Sequence, residues 1–193
     1  MKLAPPVVLL YIWMAWVVSW VLAAFWREKT VRRAGVGPEF LYRLVIIVGF
    51  ILMFGARRMG ILGTQQLWPV SRQLAWSMVG LVLAGVLFTW WARIHLGRLW
   101  SATITRKEGH HVIDTGPYAF VRHPIYTGLI LATLATAVMF ARPTIVIGAI
   151  CVIVGIYVKA RLEEKFLREQ LGAAEYDAYA RRVPMLIPFP HGK

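Results

Sequence analysis

Acidic side chains are scarce in this sequence: nine Asp and Glu stand against 22 Lys and Arg, a formal net charge of +13 at pH 7. Cysteine is scarcer still. The single Cys151 lies inside an apolar run, so no intrachain disulfide forms, and inert packing is its expected role. Charged residues make up only 16% of the chain while 59% is hydrophobic, which excludes an ordinary soluble domain. There is no phosphate-cradling G-x-x-x-x-G-K, no G-x-G-x-x-G after a strand, and no serine elbow. Internal repeats and low-complexity segments are also missing.

What is there instead is a mean hydropathy of +0.60 and nine Trp among long uncharged runs, the mark of an integral membrane protein. Pro5–Trp26 is uncharged over 22 residues and Leu74–Ala92 over 19, each enough to cross about 30 Å of hydrocarbon. Pro124–Ala141 gives 18 uncharged residues and Pro143–Val158 gives 16, parted only by Arg142. Phe40–Ala56 is interrupted by Arg43 near one end, where a long side chain can snorkel to the interface. Five spans are therefore expected. The first run is too long for a signal peptide, and no A-x-A site follows it before the charged "REKTVRR".

The basic residues flank these spans instead of lining one soluble face, which argues against nucleic-acid binding. With five spans, Lys2, Arg57, Arg58, Arg72 and Arg142 share one side. The first loop, the third loop with its flanks, and the tail carry 4, 5 and 7 basic residues, together 16. The positive-inside bias puts that second side in the cytoplasm and the amino terminus outside. It also brings the polar segments Arg93–His123 and Lys159–Lys193 to the same face, where they can build one site.

The first half, to about Gln73, holds no chemistry beyond a basic loop that suits lipid headgroups. The second half differs. His95–Pro124 is a 30-residue connection with Gly97, Gly109 and Gly116 as turn points, a length that usually signals function. Within it "SATITRK" alternates and is compatible with a short strand. "KARLEEKFLREQLGAAEYDAYARR" places Leu162, Phe166, Leu167 and Leu171 at helical spacing, an amphipathic cytoplasmic helix continuing out of the fifth span. "VPMLIPFP" follows, too rich in proline for regular helix.

Two constellations carry chemistry. In Arg122-His123-Pro124 the proline suits the first position of a helix, so His123 falls just outside the amino end of the fourth span, where donors and the helix dipole favour an anion. The plainer reading is an interfacial Arg with a capping His. Glu163-Glu164 lies about one helical turn past Val158; it either pairs on the surface with Lys159 and Lys165 or receives a cationic or hydroxyl-bearing ligand. The histidines His95, His110, His111 and His123 match no zinc spacing, so a metal is not expected.

Together, "LGRLWS", "EGHHVIDTGPYAFVRHPIYTG", "EEKFLREQLGAAEYDAY" and "RVPMLIPF" closely resemble the isoprenylcysteine carboxyl methyltransferase family of membrane enzymes, and more loosely the phospholipid methyltransferases. The resemblance runs from about Ile94 to Phe189. It implies an all-α integral membrane protein of about five transmembrane helices, with a cytoplasmic C-terminal amphipathic helix. A cofactor-binding loop would lie between spans 3 and 4. The chain would be one membrane domain, 1–193, with spans 1 to 3 in 1–92 and the methyltransferase module in 93–193. The implied cofactor is S-adenosylmethionine, entering from the cytoplasm, and the implied acceptor is lipophilic, entering from the bilayer. Carried over by position, His110, Val112, Ile113, Gly116, Tyr118, His123, Pro124 and Tyr126 would line the cofactor pocket, with Glu163 and Glu164 as its acidic wall. Arg122, Lys159, Arg161 and Glu164 are the residues on which the transfer itself would rest.

Two departures stand out. Where prenylcysteine enzymes are expected to present an Arg about five residues before the ligand Glu, this chain has Lys159, with Arg161 two residues on, and a point charge does not replace a fork. "GAAEY" is also one residue longer than the family spacing. A prenylcysteine carboxylate, a phospholipid amine, or a small apolar thiol or acid all remain acceptors. So do two other readings: an NADPH-dependent, sterol-reductase-like membrane enzyme, and a non-enzymatic scaffold or transporter.

Overall fold

The computed structural model describes residues 3–26, 30–33, 36–55, 65–97, 100, 105–107 and 113–188. Apart from one short strand pair, the architecture is helical: α1 (Pro5–Ala23), α2 (Val36–Phe50), α3 (Arg72–Leu96), α4 (Pro124–Phe140), α5 (Pro143–Leu171) and α6 (Ala173–Arg182). Three of these, α1, α3 and α5, are long and apolar enough to cross a membrane, and α4 is an apolar helix of 17 residues. A π-helical stretch, Ile51–Gly55, extends α2.

Local chemistry sets the boundaries. Proline opens α1, α4 and α5, since its fixed φ fits the first turn and its missing N–H costs nothing there. Ser71 caps α3 by accepting from the Leu74 N–H at 3.1 Å. The turn between α4 and α5 needs only Ala141, at φ +51, and Arg142. The amphipathic segment after the last apolar run is not one helix. It continues α5 without a break to Leu171, then Gly172, at φ +103, turns the chain into α6.

Small residues let the helices touch. Gly85 and Thr89 of α3 face Gly128 and Ala132 of α4, and a Cβ on Gly85 would lie 2.5 Å from the Gly128 carbonyl oxygen. Gly49 of α2 meets Gly148 of α5 in the same way, at 2.7 Å. Such close approach gives helices dispersion contact that lipid cannot replace. Three indoles fasten α1: Trp13 donates to Thr136, Trp16 to Thr89, and Trp90 to Ser19, at 3.0, 2.9 and 3.2 Å. The outward faces remain apolar and exposed, with Leu10, Val18, Leu87, Leu134 and Ile150 among them.

The connections sort to two ends. At one, the Leu67 N–H donates to the Ala141 carbonyl at 2.6 Å and Trp68 Nε1 to the Val138 carbonyl at 3.1 Å. At the other, Thr30–Arg33 pairs antiparallel with Thr105–Lys107, joining the first and third loops. There too Arg93, fully buried, donates to the carbonyls of Ala23, Trp26 and Gly97. Its guanidinium lies 5.0 Å from the Trp26 ring and 4.6 Å from the Trp100 ring.

Candidate active site

The polar end is where α4 begins, α5 leaves its apolar stretch, and the chain after α6 returns. Gly116, at φ +56, starts a short 3₁₀ turn, Gly116–Ala119, that buries Pro117 and Tyr118. The turn is packed from behind: a Cβ on Gly116 would lie 2.6 Å from His95 Cε1. His95 also bonds Thr115 Oγ1 at 2.9 Å, and Tyr118 packs with Ala92, Trp100 and Ile125, with Ile113 alongside. Arg122 and His123 follow, and Pro124 is buried at the first position of α4.

His123 is the N-cap residue, but its side chain makes no cap bond. Its ring stacks on Tyr126 with centroids 5.3 Å apart and faces both carboxylates. Nδ1 lies 3.7 Å from Glu163 Oε2 and Nε2 lies 3.4 Å from Glu164 Oε1, a contact without hydrogen-bond geometry. His123 Nε2 is thus a buried ring nitrogen with no hydrogen-bond partner in the structure.

The two glutamates have different neighbours. The Tyr126 hydroxyl sits 2.7 Å from both oxygens of Glu163, and Lys159 Nζ is 3.8 Å away on the same helix face. Lys159 is flanked by aromatic rings, 5.2 Å from Tyr126 and 5.9 Å from Tyr42. Glu164 takes Arg122, whose Nε and Nη2 both reach Oε1 at 2.7 Å. Arg161 is exposed and joins none of these contacts: two residues from Lys159, it falls on another face of α5.

The returning chain closes one side. Backbone N–H groups of Arg122 and His123 donate to the carbonyls of Pro184 and Met185 at 2.8 and 3.1 Å. Thr127 Oγ1 donates to the Leu186 carbonyl at 2.6 Å, and the Tyr179 hydroxyl to the Tyr118 carbonyl at 2.8 Å. Burial pushes the Tyr118, Tyr176 and Tyr179 phenols up from their ordinary pKa, so they stay neutral donors.

Of the residues singled out in the sequence, Ile113, Gly116, Tyr118, Arg122, His123, Pro124, Tyr126, Lys159, Glu163 and Glu164 gather at this end. His110 and Val112 lie outside the described residues. Sequence reasoning missed Tyr42, which α2 delivers from the half that carried no recognisable chemistry, and the buried Arg93. It also gave His95 no role in shaping the Gly116 turn.

The fold and site define a helical membrane protein whose carboxylates, imidazole and phenols are gathered at one end of an apolar bundle. The profile of the isoprenylcysteine carboxyl methyltransferase (ICMT) family matches residues 78–169, from within α3 to the polar extension of α5. Protein-S-isoprenylcysteine O-methyltransferase B of Arabidopsis thaliana is 30% identical over 152 residues, 77% of this chain and 74% of that protein. The probable protein-S-isoprenylcysteine O-methyltransferase of Oryza sativa subsp. indica is 31% identical over 120 residues, 62% of this chain and 55% of that protein. The cobalt-zinc-cadmium resistance protein CzcN of Cupriavidus metallidurans is 30% identical over 149 residues, 74% of this chain and 61% of that protein. The chain thus spans 55% to 74% of the length of these relatives. It belongs to the isoprenylcysteine carboxyl methyltransferase family, and is a methyltransferase of that family.

Proposed function

We propose that the chain transfers a methyl group from S-adenosylmethionine to a lipophilic acceptor, a prenylcysteine carboxylate or a similar isoprenoid or lipid acid. The reaction takes place where its polar end meets the cytoplasmic face of the membrane. The observation that carries this reading is the convergence of His123, Tyr126, Glu163 and Glu164 at the start of α4, with the buried imidazole within 3.4 and 3.7 Å of the two carboxylates.

These residues suit the cofactor. Bound S-adenosylmethionine supplies an electrophilic methyl on a positively charged sulfur. The glutamates offer acceptors for an ammonium and for ribose hydroxyls. His123 and the start of α4 suit an anionic carboxylate. Lys159, held between two phenol rings, would orient the acceptor acid as a point charge. A carboxylate acceptor needs no general base, so the protein's contribution is alignment and exclusion of water.

The topology that goes with this reading has five spans, α2 with its π-helical extension and α4 joining the three longer helices, and places the amino terminus outside. It is supported by the bonding of the first loop's neighbours to the third at one end, and of residues 67–68 to the α4–α5 turn at the other.

Calorimetry on the detergent-solubilised chain tests the reading. S-adenosylhomocysteine should bind and NADPH should not; Glu164→Gln and His123→Ala should each weaken that binding by about tenfold or more, the loss expected for a charged hydrogen bond. Membranes incubated with methyl-labelled cofactor should release the label on base treatment. Label held in base-stable amine would move the acceptor to the phospholipid class, and NADPH binding alone would sink the proposal.

A further inference from the structure

The Arg122 side chain is only 11% exposed, which rules out an interfacial anchor reaching for headgroups. Its guanidinium is spent on three parts of the chain at once. Nε and Nη2 hold Glu164 of α5 at 2.7 Å, while Nη1 donates to the carbonyls of Ala180, in the last turn of α6, and Val183, just past its end. Helix-end carbonyls lack intrahelical partners, so a cation placed there satisfies them and complements the dipole. On either side of that side chain, the backbone of Arg122 and His123 and the hydroxyl of Thr127 bind the next three carbonyls, Pro184 to Leu186.

We propose that Arg122 is a positioning residue that docks the segment Val183–Leu186 as a strap across the start of α4, and in the same contact fixes the Glu164 carboxylate beside His123. This rests on the cofactor reading above and deepens it: the ligand for the sulfonium cofactor is complete only with the strap in place. A lysine at 122 keeps the charge but cannot reach a carboxylate and two carbonyls together, because it lacks the planar fork.

Amide hydrogen exchange on the full-length chain in detergent reads strap docking without any ligand, because the Arg122 and His123 N–H groups donate into the strap. In Arg122→Lys these two amides and those of α6 should exchange about tenfold faster or more, with α1 and α3 unchanged, and S-adenosylhomocysteine should bind about tenfold more weakly. Thr127→Val removes the Leu186 contact together with the hydroxyl's 3.2 Å bond back to the His123 carbonyl within α4, leaves the Arg122 contacts in place, and should speed exchange at His123 with a smaller loss of affinity. It decides the matter if Arg122→Lys loosens the whole fold.

Exchange at Arg122 and His123 within about twofold of the parent in both variants would overturn the strap. Faster exchange with unchanged affinity would overturn its link to the cofactor. If the parent chain bound no S-adenosylhomocysteine, the cofactor reading would fail, and exchange alone would still decide whether Arg122 holds the strap.

Discussion

Two residues show how much of this site depends on backbone groups. Gly116 combines a left-handed φ with a wall of imidazole where a Cβ would stand. Gly116→Ala is expected to destabilise the chain by roughly 1–2 kcal/mol from the backbone conformation alone. Displacement of His95 adds to that cost, and a lowered unfolding temperature in detergent would check it. Arg93 is a buried cation held by three carbonyls and two indole faces. Arg93→Lys cannot serve all of them, and a carbonyl left unpaired in the interior costs about 1–3 kcal/mol. The same thermal measurement should register it; an unchanged transition would mean that water or lipid headgroups replace the guanidinium. Arg122 and Arg93 both bind main-chain oxygens, which have no side-chain signature, so their partners could not be read from the sequence. Glu163, Glu164 and His123 could be singled out because an acidic pair and an Arg-His-Pro string are rare in so basic and apolar a chain.

At the level of helices, the uncharged runs marked α1, α3, α4 and α5, with a proline at the start of α1, α4 and α5, since an unbroken apolar length leaves few alternatives. The π-helical extension of α2 and the break at Gly172 were not legible: the first arises from packing, and the second from a glycine inside a pattern that stays amphipathic on both sides. The glycine crossings are a further consequence of packing and give a sharp contrast. Gly128→Leu would force α4 away from α3, at a cost on the order of 3 kcal/mol. Gly80→Leu, at a position with open space around it, should be tolerated. Thermal unfolding of the two variants side by side checks this. Equal stability would mean that the α3–α4 contact is not fixed by that crossing. The α2–α5 crossing at Gly49 and Gly148 matters for a different reason, because it is what brings Tyr42 against Lys159.

For the molecule as a whole, α5 is one uninterrupted helix of 29 residues that starts at the far turn and ends beyond the carboxylates. Its length is about 43 Å against roughly 30 Å of hydrocarbon, so it begins in lipid and finishes in the site with no hinge between. A stiff rod of this kind acts as a gauge. When the bilayer thins or thickens, the span answers by tilting, and the tilt is carried undiminished to Lys159, Glu163 and Glu164. Methyl transfer measured in vesicles of short, intermediate and long phosphatidylcholines should peak at one thickness, while cofactor affinity in detergent has no such dependence. A flat profile would show that the tilt is absorbed elsewhere. The rate at which such a chain works would then be set partly by the membrane that surrounds it, and the same sequence would be faster in one compartment's lipid than in another's.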